Sequence, residues 1–254
     1  MKTVFATLYL FLAVPCNALT LKLCYPDKDS PPNQMGNDEK VANPPGLSLD
    51  VISQAAHDLK INVEYFRVPT NRVFLTLKKE EADGIFVFSF LPERLEYGAF
   101  PFKNGEIDSS KRVFSLKYHF YKNKNSPISW NGEKLLNLKS FMGASRGSSV
   151  LETLKKLNIP FEESKGSEVL FKKVSSGRLD ALVEHDLTID IFNSKIEDNL
   201  KIIKLNPPLL VKDYFLVFGK HFYEKNKELC EKFWAQIGKI RDVTIKNNIH
   251  KYKD

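Results

Sequence analysis

The chain has 254 residues, with 38 basic against 31 acidic side chains and a formal net charge of +7. Its basic residues are spread out, in clusters no longer than Lys122-Asn123-Lys124, which speaks for a solvated surface and against nucleic-acid binding, while a positive field still favours anionic solutes. The five histidines lack metal-ligand spacing, so neither a metal nor a cofactor is expected.

Residues 1–18, MKTVFATLYLFLAVPCNA, carry one charge at Lys2, an apolar run from Val4 to Val14 and small residues at the end. This is the pattern of a cleavable secretory signal, because the run is far shorter than the roughly 20 residues that span a bilayer. Cleavage near Leu19 leaves about 236 residues and lowers the net charge to +6, enough chain for one large or two small domains with real cores. A lipoprotein-type cut before Cys16 is disfavoured by Pro15. Cys24 and Cys230 then remain where oxidation is permitted, either paired or as buried free thiols.

Leu19 to Tyr25 alternates like a strand, and the Pro-, Asn- and Asp-rich stretch to Gly46 reads as loop. Leu47, Val51, Ile52, Ala55, Ala56 and Leu59 recur at helical spacing, Asn62 to Val68 is strand-like, Asn71 to Lys79 is helical, and Gly84 to Phe90 is an apolar strand. This alternation predicts an α/β fold with a parallel sheet covered by helices. After an extended segment from Lys111 to Lys122 the order starts again. SFMGAS reads as a strand, Ser148 to Leu157 as a helix, Phe161 as strand, Ser167 to Ser176 as a helix and Leu179 to Glu184 as a strand. An extended segment through NPPLLVKDYFLVFGK leads to one long helix from about Tyr223 to Ile249, whose Phe233, Trp234, Ile237, Ile240 and Ile245 form a core-facing stripe. If this segment returns to the first half, the chain crosses near Leu116 to Tyr118 and near Leu210 to Tyr214. The expected division is lobe 1 over 19–116 and 213–254, and lobe 2 over 117–212, with a hinged cleft between them.

Five stretches in order and spacing carry a resemblance: LKLCYPDKDSPP, GLSLDVISQAAHDLKINVEYFRV, EADGIFVFSFLPERLEYGAFPF, GASRGSSVLETLKK and GRLDALVEH. Together they resemble the family 3 solute-binding proteins of bacterial ABC importers, in a divergent proteobacterial branch with PERLEYG and a late NPPLL crossing. The resemblance covers the mature chain and implies the type 2 periplasmic binding protein fold, a periplasmic location and a monomer that closes on a small solute.

In that family the arginine of the PER motif receives the ligand's carboxylate, which places the role on Arg94. A planar guanidinium makes the paired hydrogen bonds that a lysine cannot; the alternative is a surface arginine paired with Glu93 or Glu96. Ser89 matches a ligand-bonding serine. Gly147-Ser148-Ser149 matches a turn opening a helix, where Ser148 and Ser149 either help to hold an anion or cap the helix. The family's ammonium-binding aspartate falls on His185, with Glu184 or Asp186 as substitutes if the register shifts by one, and the usual aromatic clamp is replaced by Ser30 and Asn33. A neutral imidazole cannot neutralise a buried ammonium, so a carboxylate lacking an amino group gains ground over a standard amino acid. Arg72 belongs either to the cleft or to a solvated helix start, and Tyr118 either to the site or to hinge packing.

The leading expectation is capture of a small carboxylate solute for import, with a membrane permease or a membrane sensor as partner. The rival is a dehydratase-like periplasmic enzyme using Glu184 and His185 as acid and base; the motifs of nucleophile, metal and phosphate chemistry are missing from the sequence.

Overall fold

Residues 19–252 are described in the computed structural model, apart from Gly147, Ser149 and Lys165. The leader and the Ser149 assignment therefore lie outside the described residues.

A strand buried on both faces needs a helix on each side and a crossover to its parallel neighbour, and the first part of the chain meets both needs. β1 (Thr20–Pro26), α1 (Leu47–Asp58), β2 (Asn62–Val68), α2 (Val73–Lys78) and β3 (Gly84–Ser89) follow one another, and β1 lies between β2 and β3 with both pairings parallel. The chain then runs through β4 (Phe114–Asn123) into a second unit of the same order: β5 (Met142–Ser145), α3 (Val150–Lys156), β6 (Phe161–Ser164), α4 (Ser167–Ser175) and β7 (Ala181–His185). Here β5 is the central strand, again parallel to both neighbours. The second unit is followed by α5 (Asp186–Ser194), β8 (Ile202–Lys204), β9 (Leu210–Gly219), α6 (Lys220–Lys225) and α7 (Lys227–Asn248).

Two long antiparallel strands join the units. β4 pairs with β7 through Tyr118 to Lys122 and with β9 through Phe114 to Tyr118. β9 in turn pairs with β3 from Tyr214 to Phe218. The result is one curled mixed sheet in the order β6-β5-β7-β4-β9-β3-β1-β2.

The carboxy-terminal helix returns to the first unit. Phe233, Trp234 and Ile237 are fully buried with Leu21, Leu23, Val51 and Ile52, and Trp234 Nε1 donates to Leu216 O at 2.7 Å. Farther along, Arg241 Nη1 donates to Ser110 O and Arg112 O, at 3.0 and 3.1 Å. The Tyr252 hydroxyl donates to Asp50 Oδ2 at 2.8 Å and accepts from Gly46 N at 3.2 Å, which ties the end of the chain to the start of α1. Gly46 adopts φ 118°, and a Cβ there would lie 2.5 Å from Asn33 O, so this turn requires glycine.

The helix expected from Tyr223 to Ile249 is instead two helices. Asn226, at φ −128° and ψ 33°, interrupts the spiral, while apolar residues on both sides keep the periodicity that suggested a single helix. α5 and β8 were not anticipated. Cys24 and Cys230 are free thiols, both fully buried, and burial raises each to about 12. No helix among the described residues is long and apolar enough to cross a membrane.

Candidate functional site

The pairing register decides which side chains share a face. Ser89 lies opposite Tyr214. Tyr214, Lys212 and Leu210 lie opposite Phe114, Leu116 and Tyr118, and Tyr118 lies opposite His185. Directly opposed antiparallel residues point the same way, as does every second residue along a strand. Ser89, Tyr214, Lys212, Tyr118 and His185 therefore occupy one face of the sheet across the join between the units. Side-chain contacts agree with this. The rings of Phe114 and Tyr214 stack at 4.8 Å, Tyr118 Oη is 3.3 Å from Tyr214 Oη, and Tyr118 meets the His185 ring edge-on at 5.8 Å. Asp213, between Lys212 and Tyr214, turns to the other face, where it accepts from Ser115 Oγ at 2.5 Å and lies 3.5 Å from Arg112 Nε.

At the first-unit end of this face, β3 carries Phe86 and Val87 against the single Leu216 of β9, a bulge marked by the register shift. Val87 adopts φ 72°, a strained conformation for a β-branched residue, and the bulge sets the orientation of the residues after it. Ser89 is buried, and the short 3-10 turn Pro92–Glu96 brings Arg94 back over it. Arg94 Nη1 donates to Ser89 O at 2.5 Å and to Ser89 Oγ at 3.3 Å. The guanidinium carbon lies 5.3 Å from the Phe74 ring centre and 5.4 Å from that of Phe88. Arg94 is half-buried, and among the described residues it makes no ion pair with Glu93, Glu96 or any other carboxylate. Burial lowers its pKa, opposed by Glu93 and Tyr214.

At the other end, Glu184 is only 5% exposed. Its carboxylate accepts from Ser167 Oγ, from Ser145 Oγ at 3.3 Å and from His185 N at 2.9 Å. The His185 ring lies over it, Nε2 being 3.4 Å from Glu184 Oε1, and Thr188 Oγ1 sits 3.0 and 3.1 Å from the two ring nitrogens. Ser148 N donates to Ser145 O at 3.1 Å, so that N–H is already engaged. Its hydroxyl accepts from Val150 N at 3.4 Å and also reaches Tyr118. Tyr118 is 7% exposed, and burial pushes its phenol well above the ordinary range.

Arg94, Ser89, Tyr118 and His185 thus meet along one sheet face, with Ser148 reaching Tyr118; Glu184, opposite His119, turns to the other face by alternation and touches the His185 ring at the strand end. Arg72 does not join them: it is exposed at the start of α2, without a hydrogen bond or ion pair to this group among the described residues. Sequence reasoning missed Tyr214 and Lys212. Tyr214 joins the two ends electrostatically, its phenol raised by burial, lowered by the Tyr118 hydrogen bond and by Arg94, and raised by Glu184. Both residues stood in a segment read only as a crossing; strand alternation from a known site residue was the available signal.

No protein-family model matches the chain, and no curated protein matches it. Solved structures do. The GluR0 ligand-binding core in complex with L-glutamate superposes with a TM-score of 0.68 at 16% identity, covering 94% of this chain and 100% of that one. A histidine kinase sensor domain similar to periplasmic binding proteins gives 0.66 at 14% identity, covering 93% and 96%. The unliganded open L-cystine solute receptor of Neisseria gonorrhoeae gives 0.64 at 18% identity, covering 93% of each. Such identities speak to fold rather than to ligand. This chain has the two-lobed α/β fold of the periplasmic binding proteins, with two antiparallel strands joining the lobes.

Proposed function

We propose that the protein captures a small carboxylate-containing solute, amino-acid-like or an organic acid, between lobe 1 (19–116 and 213–254) and lobe 2 (117–212). Arg94 carries this reading. A half-buried guanidinium whose only hydrogen bonds among the described residues go through Nη1 to one serine retains Nε and Nη2 donors for a planar anion. Its place over the adjoining Phe74 and Phe88 rings holds the fork in place and lowers the entropy lost on binding. The glutamate complex and the cystine receptor support the amino-acid-like size class.

In this reading lobe 2 supplies His185, Ser148, Ser149 and Tyr118, and closure about the paired segments of β4 and β9 buries the solute, as in hinged binding proteins generally. Delivery to a membrane permease outside the cytoplasm follows as the role, the leader-like residues 1–18 supplying export. Acid–base catalysis draws less support, because the Glu184 carboxylate is already occupied by three hydrogen bonds within the protein.

A thermal-shift screen of refolded, ligand-free protein tests the proposal, using small carboxylic acids and the corresponding neutral amides. A ligand at a hundred times its dissociation constant adds about 2.7 kcal/mol, or roughly 5–10 °C for a chain of this size. The expected result is a rise for acids that their amides do not give. Equal response to acid and amide would contradict it.

A further inference from the structure

We propose that the cleft takes a dianion, with Arg94 holding one carboxylate and Lys212 the other; this rests on the carboxylate-capture reading above and narrows its ligand class. Lys212 has no place in the sequence reading, and the register assigns its position. Arg94 is fixed to Ser89, Ser89 lies opposite Tyr214, and Lys212 is the next residue of β9 on that face. Two strand residues span about 7 Å, a separation that a diacid with a two- or three-carbon spacer can bridge when long side chains approach it from both ends.

Two observations support a second anion subsite. Among the described residues Lys212 has no ion pair or side-chain hydrogen bond, although it is half-buried. Its neighbour Asp213, the nearest carboxylate in sequence, is committed to Ser115 and Arg112 on the opposite face. Burial and the Arg94 charge both press on the ammonium, while Glu152 from the second lobe opposes them. Two cations held near each other gain most from a ligand that neutralises both, because each charge otherwise raises the cost of the other.

The test is calorimetric titration of the protein with succinate and glutarate against butanoate and pentanoate, which match them in length and lack one carboxylate. Parallel titrations use Lys212→Met and Lys212→Arg, with folding checked by melting. The expected result is at least tenfold tighter binding of a diacid than of its monoacid, lost in Lys212→Met and largely kept in Lys212→Arg. Equal affinity for diacid and monoacid in the parent would overturn the dianion proposal while leaving carboxylate capture intact. Lys212→Met weakening both ligand types alike would also overturn it, pointing to a closure contact with Glu152. Binding of neither type, alongside a positive response to non-carboxylate solutes, would overturn both readings.

Discussion

Glu184→Gln is a nearly isosteric change that tests how the second lobe is held together. In the parent the carboxylate accepts from two hydroxyls and one backbone N–H while 5% exposed. A hydrogen bond to a charged group contributes about 1.5–3 kcal/mol against about 0.5–1.5 for a neutral one. The amide keeps one acceptor oxygen and turns an NH₂ toward a former donor. If that NH₂ faces the serines, their hydroxyls rotate and accept; if it faces His185 N, two donors oppose each other. The first arrangement is the cheaper, and the loss of charge assistance then costs about 2 kcal/mol, a fall of about 4–8 °C in melting temperature for a domain of this size. Glu184→Ala, which leaves all three donors and a cavity, should cost about 4 kcal/mol. Thermal melting and urea titration of both variants, with Ser167→Ala as a partner for a double-mutant cycle, provide the assay. Glu184→Gln and Ser167→Ala should be strongly non-additive because they share a bond. A Gln variant that melts with the parent, or a cycle that is additive, would refute the assignment of Glu184 as the charged centre of this network.

Two further effects follow from the packing. Cys24 and Cys230 are pushed up to about 12 by burial, whereas an unfolded thiol titrates near 8.5; the native state therefore holds protons that the unfolded state gives up, and stability falls as pH rises from about 8.5. Urea midpoints across that range should show the fall, Cys24→Ala should reduce it, and maleimide should label neither native thiol. Gly46→Ala forces a Cβ to 2.5 Å from Asn33 O at φ 118°, and should cost about 1–3 kcal/mol from the backbone conformation alone; unchanged melting would mean that this turn adopts another conformation.

The two parallel units were legible because their helices keep a regular apolar face and their strands are short apolar runs between polar breaks; Asn62–Val68 is bounded as expected. α5 was not, since Leu187, Ile189 and Ile191 alternate with polar residues in a way that also fits a strand. The helix break at Asn226 was hidden because the apolar stripe continues through Phe222, Tyr223 and Phe233. Arg94 could be picked out because it lies in a local motif. Lys212 and Tyr214 could not, as their place beside Ser89 is set by the pairing of β9 with a strand far away in sequence, and only alternation from that pair gives their facing.

In the proposed capture the Arg94 guanidinium receives a carboxylate. This is tested most directly by calorimetric titration of the best acid from the screen into the parent, Arg94→Lys and Arg94→Met. Loss of a bidentate, charge-assisted contact in a partly buried site should cost about 3 kcal/mol, or roughly a hundredfold in affinity. Lysine should restore little of it, because a single ammonium cannot reproduce the fork. Arg94→Met binding the acid as tightly as the parent, with its fold intact, would contradict the account.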